Sequence, residues 1–209
     1  MKDINIVITR EEIDKDDITL FNQYTHINKI NLIALPTIIT SPINSINISN
    51  TIKKIENGFY DYYIFASSRS VSIFFEKIKK DKNSSRIMQN LIKLNENNAN
   101  CFIAIGPKTK KEIEKNKIKA ILAINASFSQ SIRNINDNNN IPLVLNNIKT
   151  DYSINNIMEI LEELDKENEK KEQKAKILMP RSLESLSSRN FIIKKYKNLI
   201  LDQVFFYET

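Results

Sequence analysis

The sequence predicts an α/β fold with mostly parallel sheets, and three observations carry that expectation. Apolar runs of strand length recur along the chain, several are apolar at consecutive positions as in strands covered on both faces, and stretches with helical spacing lie between them. A chain of 209 residues and 24.3 kDa has room for one good-sized core or two small ones. With 41% hydrophobic and 27% charged residues it has the composition of a folding chain, not a disordered one.

Taken in order, Ile4-Asn5-Ile6-Val7-Ile8 is a first strand ending at Thr9-Arg10, and Leu32-Ile33-Ala34-Leu35 a second. Tyr62-Tyr63-Ile64-Phe65 is a third, and Ser68 to Lys80 then places Val71, Phe74, Phe75 and Ile78 on one helical face. Cys101 to Ile105 forms the next strand, after which Pro107 suits the first turn of a helix running through Thr109 and Ile113. Lys119 to Ala123, Pro142 to Leu145, Lys176 to Met179 and Val204 to Tyr207 complete the strands, with a helix marked by Ile154, Ile157, Leu161 and Leu164. Asn134 to Asn140 is low-complexity and reads as the tip of an insertion over about 125–140. The charge run Lys166 to Lys174 reads as the solvated end of a helix and a loop.

The two ends of the chain repeat one pattern of strand, Arg at the strand tip, helix, strand. In the first, Ile6 to Arg10 leads through a mixed helical stretch to Pro36 to Thr40. In the second, Ile177 to Arg181 leads through a helical stretch at Ser187 to Lys197 to Val204 to Thr209.

Scarcity excludes whole classes of chemistry. Average usage of roughly 7% would give about fifteen glycines, but the chain has only Gly58 and Gly106, so neither a dinucleotide fingerprint nor a Walker loop can be written. One cysteine, Cys101, and one histidine, His26, rule out a Cys/His zinc site, a disulfide framework and a Ser-His-Asp triad built around a second histidine. Cys101 lies in an apolar run and reads as a buried thiol. No Cys/His metal site and no glycine-cradled nucleotide cofactor is expected. The N-terminal apolar run is too short for a secretory signal. The longest uncharged stretch, Ile30 to Ile52, is broken by Pro36 and Pro42 and cannot span a membrane, so a cytoplasmic protein is expected.

The net charge of +6 with a pI near 9.2 admits nucleic acid, an anionic membrane or a polyanionic small substrate as partner. Heavy use of Lys, Asn and Ile matches a genome short of G and C, and no basic-aromatic motif points to nucleic acid. In a parallel sheet, ligands bind at the carboxyl ends of the strands. The tips to inspect are therefore Thr9-Arg10, Ser67-Ser68-Arg69, Gly106-Pro107-Lys108-Thr109 and Pro180-Arg181-Ser182. Hydroxyls and helix-start amides there can hold carboxylate or phosphate, and each tip also carries Arg or Lys. Taken singly, each has an ordinary reading that is the stronger one, Ser67 or Ser68 as a helix cap and Thr109 as a helix-start residue; together they point to a ligand. No tip pairs a nucleophile with a base, so an enzyme built this way would work by positioning and electrostatics on a reactive substrate.

Five segments resemble, in order, those of the uroporphyrinogen-III synthases. Tyr60 to Val71 (YDYYIFASSRSV) is similar to "yDwvifTSxxaV" and Ile103 to Thr109 (IAIGPKT) to "aavGpkTa". Ile8-Thr9-Arg10, Leu178-Met179-Pro180-Arg181 and Phe206-Tyr207-Glu208-Thr209 are similar to "vTR", "liPR" and "vYxT". Ala66 departs from the pattern, standing where the family has Thr.

The resemblance implies a cofactor-independent ring closure of hydroxymethylbilane, a linear tetrapyrrole polycarboxylate, with loss of water and inversion of the last pyrrole ring. It implies two flavodoxin-like parallel-sheet domains joined by a two-stranded linker, with the substrate in the cleft between them. Tyr207 then resembles the linker tyrosine that assists departure of the hydroxyl. Ser67, Ser68, Gly106, Lys108, Thr109, Arg10 and Arg181 fall at substrate-binding strand tips, and Arg189 is a looser match to a basic residue in the following helix.

On this pattern residues 1–37 are the opening β-α-β of a first domain, 38–203 a second domain with the Asn-rich insertion, and 204–209 the returning linker strand. In the family the chain continues beyond "vYxT" to complete the first domain, whereas this one ends at Thr209. On that expectation either the chain is a truncated product, or the missing half is supplied by another polypeptide or by self-association. The alternative reading is a non-catalytic module of the same fold that binds an anion or a partner.

Overall fold

The computed structural model describes residues 3–9, 19, 23, 29–35, 40–123, 154–169, 173–183 and 196–208. The chain separates into two compact units, Met1–Pro42 with Glu208–Thr209, and Ile43–Tyr207.

In the first unit, β1 (Asp3–Ile8) and β2 (Lys29–Ala34) are parallel neighbours, with Asp3 opposite Lys29 and Ile8 opposite Ala34. Asn31 Nδ2 donates to Asn5 Oδ1 at 3.1 Å across the pair. Ile4, Val7, Ile33 and Leu35 are exposed.

The larger sheet has six strands in the order β3-β8-β7-β4-β5-β6. These are β3 (Ser41–Pro42), β4 (Tyr62–Phe65), β5 (Phe102–Ala104), β6 (Ile121–Leu122), β7 (Ala175–Ser182) and β8 (Leu199–Glu208). Every pairing from β8 to β6 is parallel, as the apolar runs predict. All four residues of β4 are buried, so this central strand is covered on both faces.

One face of the sheet carries α1 (Ile46–Glu56), α2 (Ser68–Lys79), α3 (Ser84–Asn97) and α4 (Pro107–Glu114). Their buried stripes, among them Ile48, Ile52, Phe74, Ile78, Leu91 and Ile113, form one core with Tyr63, Phe65, Phe102 and Phe206. The opposite face carries α5 (Ile154–Glu169), whose Ile157, Ile160, Leu161 and Leu164 pack on Tyr62, Ile64, Ile103 and Met179. Alternate residues of β4 thus serve opposite cores, the period-two rule of a strand.

The α2 stripe follows its sequence spacing, and Ser67 caps the helix by accepting from the Ser70 N–H. Helices α1 and α3 are not anticipated by the sequence reading. Helix α1 is rich in β-branched Ile and Thr, poor intrinsic helix formers; burial of Ile48, Ile52 and Ile55 and the Ser45 cap hold it. Strand β8 begins at Leu199, earlier than the apolar run at Val204, because Asp202 and Gln203 interrupt the hydrophobic pattern. Asp202 is satisfied there by Lys54 Nζ and Tyr60 Oη, each donating at 2.7 Å. Tyr196 and Lys197, expected to end a helix, are not helical. The rest of that stretch, the strand at 142–145 and the insertion at 125–140 lie outside the described residues. Of the repeat between the chain ends, the second copy is the parallel pair β7 and β8; in the first copy the strand beside β1 is β2, while residues 36–39 lie outside the described residues.

Cys101 is buried as expected, with Asn95 Nδ2 at 3.7 Å from its sulfur. Asn95 also receives the Lys119 N–H at 2.8 Å and donates to the Lys119 carbonyl at 3.0 Å, tying α3 to the approach to β6. Burial pushes the Cys101 thiol from its ordinary 9.0 up to about 11. The unfolded thiol ionises first, so between those values the folded state holds more protons, and stability falls as pH rises from about 9 towards 11. Urea midpoints measured across that window should decline more steeply for the native chain than for Cys101→Ala, which isolates the thiol from the buried tyrosines.

Among the described residues, no helix is long and apolar enough to cross a membrane, and no cluster of His, Cys, Asp and Glu could hold a metal ion.

Candidate functional site

The strand order places a switch point at the centre of the larger sheet. From β4 the chain moves outward to β5 and β6, then returns on the other side of β4 to form β7 and β8. Connections leaving neighbouring strands in opposite directions open a crevice at their carboxyl ends. Here that crevice lies beyond β4 and β7, whose register sets Tyr62 opposite Ile177 and Tyr63 opposite Leu178.

Ser67 stands at the β4 tip with extended backbone, φ −150° and ψ 154°. Its Oγ accepts from the Ser70 N–H at 3.1 Å, while the Ser70 hydroxyl donates to the Ser67 carbonyl at 2.7 Å. Two reciprocal bonds therefore lock the start of α2. Ser68 is the first helical residue, half-buried like Arg69.

Tyr207 reaches Ser67 from β8. The pairing of β7 with β8 is regular to Arg181 opposite Phe205, but Ser182 then faces Tyr207, leaving Phe206 as an extra residue. In an unbroken strand Phe206 and Tyr207 would point to opposite faces. The bulge turns both into the same core. Phe206 packs against Phe74 with ring centroids 5.9 Å apart. Tyr207 Oη lies 3.2 Å from Ser67 Oγ, a separation at which either hydroxyl can donate.

Arg181, on β7, is 8% exposed and donates through Nη1 to Gln203 Oε1 at 3.0 Å. Burial lowers its pKa from the ordinary guanidinium value, and its electrostatic interaction with Tyr207 acts the other way. Guanidinium is the cation that best tolerates such a position, because it keeps its charge and is weakly hydrated.

One strand over, Gly106 precedes α4 with no side-chain cap, and Pro107 occupies the first turn. Thr109 is buried in that turn, whereas Lys108 is exposed. Helices α2 and α4 both start at the carboxyl edge of the sheet, so their positive dipole ends face the same side as Arg181. Ser72 Oγ donates to Glu112 Oε1 at 3.0 Å and ties the two helices together.

The structure thus brings Ser67 and Tyr207 together, with Arg181 at the same carboxyl edge, bonded to Gln203 and in electrostatic interaction with Tyr207, and with Ser68, Gly106, Lys108 and Thr109 along that edge. Arg10 and Arg189 lie outside the described residues. Gln203 is absent from the sequence-based set of site residues; only the long parallel pairing of β7 with β8 assigns it to Arg181. A fixed hydroxyl pair at an edge rich in helix starts, with a buried cation at the same edge, can deliver a proton and attract carboxylates.

A family model described as uroporphyrinogen-III synthase HemD matches residues 26–209. No curated protein matches the chain.

Proposed function

The chain belongs to the uroporphyrinogen-III synthase family, and we propose that it catalyses the family's ring closure of hydroxymethylbilane to uroporphyrinogen III in tetrapyrrole biosynthesis, in the cytoplasm and without a cofactor. The observation that carries this reading is the contact of Tyr207 Oη with Ser67 Oγ at the carboxyl edge of the sheet. In the proposed first step the C–O bond of the terminal hydroxymethyl group breaks with its electron pair. Tyr207 gives its phenolic proton to that oxygen and water departs. The pyrrole nitrogen's electrons stabilise the carbon left behind as an azafulvene. Attack by the last ring, rearrangement through a spiro intermediate and closure then follow. The proton released as the ring regains aromaticity returns to Tyr207, so one water is lost and the enzyme is unchanged.

Arg181, Lys108 and the starts of α2 and α4 supply positive potential for the substrate's carboxylates. A substrate that ionises itself needs positioning and one proton donor more than it needs a nucleophile.

The test is to incubate the purified chain with freshly generated hydroxymethylbilane, oxidise the products and separate type I from type III uroporphyrin. Spontaneous closure yields type I. Dominant type III product is the expected result. Type I alone, as in the protein-free control, would overturn the reading in favour of an anion-binding module of the same fold.

A further inference from the structure

We propose that Ser67 is a positioning residue whose hydroxyl donates to Tyr207 Oη, which frees the phenolic proton to point at the departing hydroxyl. The inference rests on the synthase reading above and assigns the direction of a bond that the geometry alone allows either way.

A serine hydroxyl has one proton and two acceptor sites. Ser67 Oγ is already used as an acceptor by the Ser70 N–H at 3.1 Å, and the Ser70 hydroxyl, donating to the Ser67 carbonyl at 2.7 Å, holds that arrangement. Its proton remains for the neighbour at 3.2 Å, Tyr207 Oη. The phenol also has a single proton. Spent on Ser67, it could not reach the substrate. Arg181, which interacts electrostatically with Tyr207, carries only donors and offers the phenolic proton no acceptor. Both groups therefore favour a Tyr207 oxygen that accepts from the protein and donates outward. As the proton leaves, the oxygen gains negative charge and the bond from Ser67 strengthens. An interaction that grows during the step acts on kcat and leaves KM in place.

The experiment compares Ser67→Ala, Ser67→Thr and Ser67→Asp in the full chain, using the isomer assay. Ser67→Ala should lower kcat about ten- to a hundredfold, as expected for one hydrogen bond to a charged group, with KM near the native value. Ser67→Thr, which keeps the donor, should restore the rate. Ser67→Asp caps α2 as serine does but as a carboxylate has no proton to give, so it should keep the native melting temperature and lose the rate. In a Tyr207→Phe background, Ser67→Ala should cost nothing further. Losses that multiply in the double variant, or a raised KM with native kcat, would overturn the proposal and make Ser67 a substrate-holding group.

A second arm needs no turnover. With 13C-labelled tyrosine, the Tyr207 Cζ resonance should move in Ser67→Ala and stay in place in Ser67→Thr. An unmoved resonance in Ser67→Ala overturns the hydrogen bond. Type I product alone from the native chain overturns the synthase reading, while the resonance still reports on the bond.

Discussion

Tyr207→Phe is expected to lower the rate of type III uroporphyrinogen formation by about a hundred- to ten-thousandfold, the range supplied by a positioned general acid. The ring stays, so Phe206 keeps its place and the bulge of β8 persists. What is lost is one oxygen, 3.2 Å from Ser67 Oγ. A neutral hydrogen bond contributes about 1 kcal/mol net, so the unfolding midpoint should move little. Rate and stability are thereby separated in one variant. The measurement is a time course of type I and type III product, with type I taking over as spontaneous closure outpaces the impaired enzyme. A variant that makes type III at close to the native rate would remove the proton-donor role from Tyr207. Arg181 would then be the group to test next, since its guanidinium is buried at the same sheet edge and interacts electrostatically with Tyr207.

Phe74→Ala is expected to be the most damaging core substitution, at about 3–5 kcal/mol. Phe74 is fully buried in α2 and is the hub of an aromatic cluster. Its ring centroid lies 5.0 Å from Phe75, 5.3 Å from Phe65, 5.9 Å from Phe206 and 6.0 Å from Tyr63. Truncation removes the buried ring and leaves a cavity that three elements line, and aromatic edge contacts are lost as well. With total stabilities of about 5–15 kcal/mol for a domain, such a loss is a large share of the whole. Denaturant titration should show a strongly reduced midpoint, and Phe74→Leu, which refills most of the space, a much smaller change. Phe206 is the residue before Tyr207, so Phe74→Ala should also loosen the Tyr207 contact and lower the rate of the fraction that remains folded. A native midpoint for Phe74→Ala would show that the cluster is not the centre of the core.

The local signals in this chain are strong and were legible as such. Apolar runs at Ile4 to Ile8, Tyr62 to Phe65 and Lys176 to Met179 mark strands; spacing from Val71 to Ile78 marks a helix; Ser67 and the pair Gly106-Pro107 mark helix starts. Each is a short-range pattern whose physical cause acts within one or two turns of chain. Helices α1 and α3 escaped although Ile48, Ile52 and Ile55, and Ile87 and Leu91, keep helical spacing, because Asn and Ser interleave both stretches as they do the loops.

By itself the sequence determined the alternating α/β order, the lack of glycine-rich phosphate loops and of a Cys/His ligand set, and the candidate tips Ser67, Gly106 and Arg181. Tertiary structure alone decided which tips meet. The pairing of β4 with β7 makes the crevice; the extra residue in β8 turns Tyr207 towards Ser67, 140 residues away in sequence; and the extended β7–β8 ladder gives Arg181 its Gln203 partner. No local pattern encodes these, because strand order, register and the direction of a side chain after a bulge are set by packing between distant segments. A shift of one residue in that register would send Tyr207 to the other face of the sheet.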